Sequence, residues 1–321
     1  MANAATATGL PFDDIRTVVQ NLSGGDERAV AAVAARNDEL FGAEGAGRLG
    51  KLCEWLAAWS GKSPSVTRPL VALFAGTHAA QGAQAQGNVA AQIASIAQGG
   101  APINHICSSQ ELGLKVFDLA LAYPVANIAE DAALSERDCA ATIAFGMEAV
   151  AGGLDLMVAG SCMPQAGFSP AAIFLALHGG PVTKWTDDPG DAAIANAAVA
   201  FHGAAARDPL EALRRLGGRE TAAIAGAILA ARVQHVPLFL DGRHALAAAA
   251  VLQALDADAI SHCMLAQGHG SMVDRCMAEA LGMVPLLDLS MRLDSGEGGA
   301  LAMMMARSAA AMHGAELSAI T

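Results

Sequence analysis

Two glycine-rich segments hold residue types that could bind or transform a ligand, and the first is Gly-Gly-Arg-Glu at residues 217–220. An alanine-rich stretch follows it and predicts a helix that runs to about Gln234. Glycines at a helix start free backbone N–H groups to face an anion, and the helix dipole favours negative charge there. Gly217 and Gly218 are therefore candidate phosphate-binding residues, although a plain glycine turn that caps a buried helix would give the same pattern.

The second segment, residues 292–301 (RLDSGEGGAL), places a glutamate among glycines. Glycines beside a carboxylate let the backbone approach a ligand closely and leave the side chain of Glu297 mobile. The alternative is a loop whose glutamate is solvated. The segment therefore predicts either a ligand-binding loop or a solvated one.

Strand ends supply the remaining polar candidates. His78 follows the first predicted strand, His269 follows the fifth, and Asp241 ends the fourth. All three could line a pocket, because ligands bind beyond the carboxyl ends of parallel strands. A histidine in an alanine-rich segment is more often structural, and many strand-end carboxylates cap the next helix. Both interpretations stay open for these residues.

The elements that would position these residues are short apolar runs that alternate with alanine-rich helical stretches. Near-continuous apolar strands separated by helices indicate a parallel sheet covered on both faces. Right-handed crossovers make such a sheet doubly wound, so we predict a Rossmann-like α/β fold. Five runs predict strands and a sixth is a candidate: residues 70–76, 114–121, 154–160, 236–242, 260–265 and 284–288.

The segments on either side of this sheet are predicted to be helical. Residues 1–66 have helical patterns, and Leu-Pro-Phe-Asp-Asp at residues 10–14 is typical of a helix start. A last helix from about residue 300 to residue 321 is predicted to return and pack with them. We therefore predict a small helical domain from residues 1–66 and about 300–321, and a Rossmann-like domain over residues 67–299.

Composition limits the partners of the chain. Its formal net charge is -12, from 31 acidic and 19 basic residues, and no block of Lys or Arg stands out. Nucleic acids and anionic membranes need a basic face, so neither is an expected partner, whereas a small anionic ligand is still allowed. The six cysteines have no CxxC spacing and no cluster with histidine. We expect reduced thiols in a cytoplasmic protein, with no metal and no cofactor.

Several longer stretches, taken in chain order, carry a resemblance to a known family. They are residues 10–14 (LPFDD), 99–104 (GGAPIN), 137–142 (RDCAAT), 213–220 (LRRLGGRE), 225–232 (AGAILAAR), 237–242 (PLFLDG) and 286–293 (LLDLSMRL). Together they resemble the nicotinate-nucleotide:dimethylbenzimidazole phosphoribosyltransferases over nearly the whole chain. The resemblance implies a Rossmann-like domain, a small helical domain from both chain ends, and a homodimer.

The resemblance also implies a reaction. Nicotinate mononucleotide gives its phosphoribosyl group to 5,6-dimethylbenzimidazole, which forms α-ribazole phosphate for the lower ligand of cobalamin. The benzimidazole nitrogen attacks the anomeric carbon with inversion as nicotinate leaves. A carboxylate near the azole takes its proton, because attack leaves that ring cationic. The site mainly aligns the two reactants and holds the phosphate.

The glutamate that takes this proton follows an Arg-Leu pair in the family, and here that pair is Arg292 and Leu293. Without a gap, the family glutamate falls on Ser295. A slip of two residues, roughly 6–7 Å of extended chain, places Glu297 there instead. Glu297 is therefore the candidate catalytic base, and Arg292 and Leu293 are candidate substrate contacts.

Other strand-end loops keep some family residues and replace others. His78 and Gln92 match a family histidine and glutamine, and we expect both to bind substrate. Ser161 stands where the family has a carboxylate after the third strand. Asp187 and Asp188 lie where the family has a glycine-rich segment and a lysine, and two acids there would repel phosphate.

These replacements leave two hypotheses open. The chain is either an active phosphoribosyltransferase with a remodelled site and Glu297 as base, or a non-catalytic relative. The non-catalytic relative would bind a nucleotide or corrinoid fragment, or pair with an intact homologue as a regulatory or structural subunit.

Overall fold

The computed structural model describes residues 9–43, 45–163, 166–268, 270–293 and 295–316. Three helices precede the first strand: α1 (Pro11–Gln20), α2 (Glu27–Phe41) and α3 (Gly47–Ser60). Proline at the first position of α1 fits a helix start, since its missing N–H would be unpaired there anyway. The side chain of Asp26 accepts hydrogen bonds from two backbone N–H groups at the start of α2.

Five parallel strands form the main sheet, in the order β2-β1-β3-β4-β5. They are β1 (Pro69–Ala75), β2 (Gly113–Asp118), β3 (Leu156–Ser161), β4 (Leu238–Leu240) and β5 (Cys263–Leu265). The predicted doubly wound α/β fold is confirmed. The sixth apolar run does contain a strand, but it lies outside the main sheet: β7 (Leu287–Asp288) pairs with β6 (Gln267–Gly268) in a separate two-stranded sheet.

Helices occupy the connections between the strands. The first crossover contains α4 (Gly82–Ala97) and α5 (Pro102–Ser109), and the second contains α6 (Glu136–Met147). The long third connection contains α7 (Phe168–His178), α8 (Pro189–His202), α9 (Pro209–Leu216) and α10 (Arg219–Val233). Beyond β4 come α11 (Arg243–Leu255), α12 (Met272–Ala280) and α13 (Glu297–His313). Within the described residues no helix is both long and apolar enough to cross a bilayer.

The sheet is covered on both faces, as near-continuous apolar strands require. A methyl group built on Gly299 of α13 would lie 2.3 Å from Val158 Cγ1 of β3, so this helix start rests directly on the sheet. On the other face, α10 contacts β1 and β3. Because successive side chains of a strand alternate between faces, residues of β3 at even spacing from Val158 face α13 and the others face α10.

The α10 face depends on a close crossing of α6 and α10. A Cβ on Gly226 of α10 would lie 1.9 Å from the carbonyl oxygen of Ile143, and one on Gly146 of α6 would lie 1.9 Å from that of Ala223. Both distances are far inside van der Waals contact, and both involve backbone that cannot move aside cheaply. The two helices can therefore approach this closely only because each presents a glycine.

Gly226→Ala is expected to destabilise the protein by about 1–3 kcal/mol, because the added methyl group forces α6 and α10 apart. Chemical unfolding monitored by far-UV circular dichroism measures the change. Gly87→Ala in α4 is the matched control, since a Cβ there meets nothing within 4 Å. Equal unfolding free energies for both variants would contradict the close-crossing argument.

The N-terminal and C-terminal helices pack together. Cys53 Sγ of α3 lies 3.2 Å from the carbonyl oxygen of Ala309, and Asn37 Oδ1 of α2 lies 2.8 Å from His313 Nδ1 of α13. These contacts support the division into a small helical domain and a Rossmann-like domain, which we retain as a proposal. Residues 1–8 and 317–321, which the proposed small domain includes, lie outside the described residues.

Candidate active site

The carboxyl edge of the sheet has one place where neighbouring connections leave in opposite directions, between β1 and β3. Ligands of doubly wound folds bind at this switch point. Ser161 ends β3 opposite Phe74 of β1, and Gly76, Thr77 and His78 follow β1. Two polar clusters lie here, one on each face of the sheet.

The first, which we call the His78 cluster, consists of His78, Glu220, Thr221 and His244 on the α10 face. His78 Nε2 lies 3.0 Å from Glu220 Oε1, and His244 Nδ1 lies 3.4 Å from the same oxygen. Thr221 Oγ1 lies 3.2 Å from His244 Nδ1. All four side chains are buried. The cluster joins the end of β1 to the first turns of α10 and α11.

Glu220 is the anionic centre of this cluster. Burial by itself would raise the pKa of its carboxyl, but the charges and hydrogen bonds of His78 and His244 outweigh burial and hold that pKa well below its usual range. The positive end of the α10 dipole favours the same ionised state. Glu220 is therefore a fixed carboxylate rather than a group that exchanges protons near neutral pH.

Glycines make the room that this carboxylate needs. A Cβ on Gly218 would lie 2.4 Å from both oxygens of Glu220, and one on Gly76 would lie 2.5 Å from Oε2. The N–H of Gly217 already donates to the carbonyl oxygen of Leu213, at 3.0 Å. Phosphate binding by Gly217 and Gly218 thus stays a prediction. In the structure, the carboxylate of Glu220 lies at the start of α10, beside Gly218.

The second cluster, which we call the Glu297 cluster, consists of Gln92, Asp241, Ser295 and Glu297. Glu297 is the first residue of α13, and its Oε2 accepts the N–H of Ser295 at 2.8 Å. Gln92 Nε2 of α4 donates to the hydroxyl of Ser295. The N–H of Gly299 donates to Asp241 Oδ2 at 2.9 Å. The cluster therefore brings α4, β4 and the start of α13 together.

The glycines of this segment do not form the mobile loop that the sequence predicts. Gly296 caps α13 in the left-handed region, at φ +87°, and Gly299 lies against β3. Glu297 is only 3% exposed and is held by a hydrogen bond. The prediction of a mobile or solvated glutamate is therefore wrong, because these glycines let a helix start pack on the sheet.

The remaining candidate residues from the sequence lie outside both clusters. Ser161 is buried at the end of β3, and its Oγ has no hydrogen-bond partner among the described residues. Arg292 and Leu293 are exposed, Leu293 by 44%, and no described hydrogen bond joins them to either cluster. His269 and Asp294 lie outside the described residues.

Sequence reasoning missed His244 and the role of Glu220. His244 lies three residues after Asp241, so the strand-end rule that selected Asp241 could have selected it too. Glu220 was visible in the Gly-Gly-Arg-Glu motif, but only as part of an anion-binding turn. Nothing local in the sequence shows that its own carboxylate fills that turn.

Comparisons with known proteins agree with this architecture. A family model described as "Phosphoribosyltransferase" (DBI_PRT) matches residues 22–318. A nicotinate-nucleotide–dimethylbenzimidazole phosphoribosyltransferase of a Sinorhizobium species is 50% identical, over 96% of this chain and 95% of the relative. The enzyme of the same name from Agrobacterium fabrum is 49% identical, over 95% of this chain and 93% of its own.

Solved structures of proteins with the same or a related name also match this chain. A crystal structure from Thermus thermophilus, named for the same phosphoribosyltransferase, superposes with a TM-score of 0.82 at 25% identity. The aligned region covers 92% of this chain and 99% of the chain in that crystal structure. A second structure, of CobT from the same organism, has a TM-score of 0.79 at 26% identity and covers 89% of this chain and 96% of its own.

Proposed function

The chain belongs to this phosphoribosyltransferase family, and we propose that it transfers the phosphoribosyl group of nicotinate mononucleotide to 5,6-dimethylbenzimidazole. The products are α-ribazole phosphate, a precursor of the lower ligand of cobalamin, and nicotinate. Relatives with half of their residues identical are named for this reaction. They give no support to the alternative of a non-catalytic relative.

The observation that carries the proposal is the position of Glu297. Its carboxylate is buried at the start of a helix that rests on β1 and β3, next to Ser295 and Gln92. Proteins with doubly wound sheets generally bind their ligands at this switch point, which supports the proposal. The two-residue slip from Ser295 to Glu297 thus keeps a carboxylate in the same small cluster, because Glu297 turns back to bond the N–H of Ser295.

In the proposed mechanism, a benzimidazole nitrogen attacks the anomeric carbon of the nucleotide. The bond from that carbon to the nicotinate nitrogen breaks, and its electron pair leaves with nicotinate. Attack leaves the azole ring cationic, and Glu297 accepts the proton from its other nitrogen. The hydrogen bond from Ser295 N–H holds Glu297 Oε2, which fixes the direction of the carboxylate.

The remaining side chains are proposed to orient the reactants. Gln92 and Asp241 lie in the Glu297 cluster and would position the acceptor beside the base. Ser161 and His78 lie on the opposite face of the switch point and would line the donor side. Much of the rate of such a reaction comes from holding two reactants in line, so these residues contribute through alignment.

We also propose a cytoplasmic homodimer with small-molecule substrates as its ligands. All six cysteines are free thiols, which fits a reducing compartment. The relatives' names specify a nucleotide and a benzimidazole as the molecules on which they act. Light scattering during size-exclusion chromatography measures the mass of the particle in solution.

Purified protein is expected to form α-ribazole phosphate from nicotinate mononucleotide and dimethylbenzimidazole. Liquid chromatography with mass detection follows the product and the released nicotinate, which must appear in equal amounts. Reactions without protein and without acceptor give the background. Product formation no higher than background with dimethylbenzimidazole, other azoles and phenols would remove the proposal.

A further inference from the structure

A second cavity lies at the amino edge of the main sheet, between α1, α3 and the segments that lead into β4 and β5. We call it the amino-edge cleft. Its volume is about 420 Å³, which is enough for a small-molecule ligand. Val19 and Leu22 give it an apolar wall, and three charged side chains also line it, those of Arg232, Asp256 and Asp258. The cleft lies at the opposite edge of the sheet from the candidate active site.

Arg232 is buried beside this cleft without a counter-ion. The residue is 2% exposed, and no ion pair joins it to a carboxylate of the described residues. Its Cζ lies 4.2 Å from the ring centroid of Trp59, and its Nη1 donates a hydrogen bond to Ser261 Oγ. Its Nε is buried and has no hydrogen-bond partner among the described residues. Arginines are rarely buried this deeply without a partner, so a ligand with a negatively charged acceptor would offset the cost of burial.

The two aspartates of the cleft are held in place by their own loop. The N–H of Asp258 donates to Asp256 Oδ1 at 2.8 Å, and Ser261 Oγ donates to the carbonyl oxygen of Asp258 at 2.8 Å. Neither carboxylate forms an ion pair with a described residue. Burial lowers the pKa of Arg232, and the charges of Asp258 and Asp256 oppose this effect. The cleft therefore presents one cation and two anions that are near one another but not paired.

This arrangement of charges selects the kind of ligand that fits. The aspartates would repel a simple anion, and Arg232 would repel a simple cation. A zwitterion meets both demands, because its carboxylate can face the guanidinium while its ammonium group faces the aspartates. The apolar wall of Val19 and Leu22 favours an aliphatic group on the same molecule.

We propose that the amino-edge cleft binds a small zwitterion with an apolar side chain, of the class of the free aliphatic α-amino acids. The carboxylate of the ligand accepts hydrogen bonds from Arg232, and its ammonium group lies beside Asp258. Its side chain contacts Val19 and Leu22. This site goes beyond the proposed function, and its occupation does not depend on whether the chain is an active transferase.

Calorimetric titration of the purified full chain with leucine tests the proposal. Two molecules share the carbon skeleton of leucine: 4-methylpentanoate lacks the ammonium group, and 3-methylbutylamine lacks the carboxylate. Each is expected to bind about tenfold more weakly than leucine or worse, because it leaves one sign of charge in the cleft unpaired. Valine and phenylalanine vary the size of the apolar group. Absence of saturable binding by all three amino acids up to ~10 mM would overturn the proposal.

Two substitutions assign each charge of the ligand to its partner. Arg232→Met keeps an unbranched side chain on Trp59 but removes the charge, so leucine should bind about tenfold more weakly and 3-methylbutylamine no more weakly. Asp258→Asn should weaken leucine binding without weakening that of 4-methylpentanoate. Arg137→Met is the matched control, because it removes an exposed arginine of α6. It should leave leucine affinity within about twofold of wild type.

Equal leucine affinities for wild type and a folded Arg232→Met protein would refute the site, and circular dichroism checks the fold of each variant. If Arg232→Met does not fold, Asp258→Asn and the ligand series decide. Binding of 3-methylbutylamine as tight as that of leucine would show only attraction of a cation to an acidic surface. Saturating nicotinate mononucleotide should not displace leucine. Displacement would place leucine in the candidate active site and overturn the proposal.

Discussion

Glu297→Gln is expected to lower kcat by about 10²–10⁴-fold, the usual contribution of a general base. Glutamine has nearly the shape of glutamate and can still accept the N–H of Ser295, but its amide cannot take a proton from the azole. The KM values should change little, because the lost interaction forms only in the transition state. Initial rates with both substrates at saturation give kcat directly.

Two further variants make this test specific. Glu39→Gln removes an exposed glutamate of α2, at 63% side-chain exposure, and is expected to leave kcat unchanged. Ser295→Glu in the Glu297→Gln background returns a carboxylate to the ungapped family position and is expected to recover part of the rate. A folded Glu297→Gln enzyme with wild-type kcat would show that another group takes the proton.

Glu220→Ala is expected to have the largest effect on stability, a loss of about 3–5 kcal/mol in the free energy of unfolding. The substitution leaves the buried side chains of His78 and His244 without the carboxylate that both contact, and it removes the acid at the start of α10. Urea unfolding followed by circular dichroism measures this loss. Thr221→Val is the matched control, since it removes hydroxyl contacts from the same cluster but no charge.

The effect of Glu220→Ala should also depend on pH. The folded pKa of Glu220 lies well below its ordinary value, so its stabilising contribution is complete above the unfolded pKa of about 4.3. That contribution is lost as pH falls through the folded pKa. Protonation of Glu220 should therefore reduce the stability difference between wild type and variant only in strong acid. A difference that shrinks between pH 8 and pH 6 would contradict the assignment of Glu220 as the fixed anion.

Most of the architecture could be predicted from the sequence, because strand and helix patterns are local. Apolar runs such as residues 70–76 and 154–160 became β1 and β3, and the alanine-rich stretches between runs became helices. Even the switch point follows from a rule about parallel sheets. Motifs such as residues 213–220 resemble those of the family that the comparisons confirm.

The sites were less predictable because their contacts cross long stretches of chain. Gln92 and Ser295 are 203 residues apart, and His78 and Glu220 are 142 apart. No periodicity links such pairs, so sequence patterns mark each residue without showing its partner. Gly217 and Gly218 illustrate this limit, because the motif predicts an anion at a helix start but cannot show that the anion is Glu220 of the same chain.

The sequence by itself determined the fold class, the family and a short set of polar residues near strand ends. Only the tertiary structure decided that Glu297 is buried and fixed and that Glu220 lies between two histidines. The physical reason is that backbone preferences act over a few residues, whereas burial and charge depend on what the folded chain brings from far away.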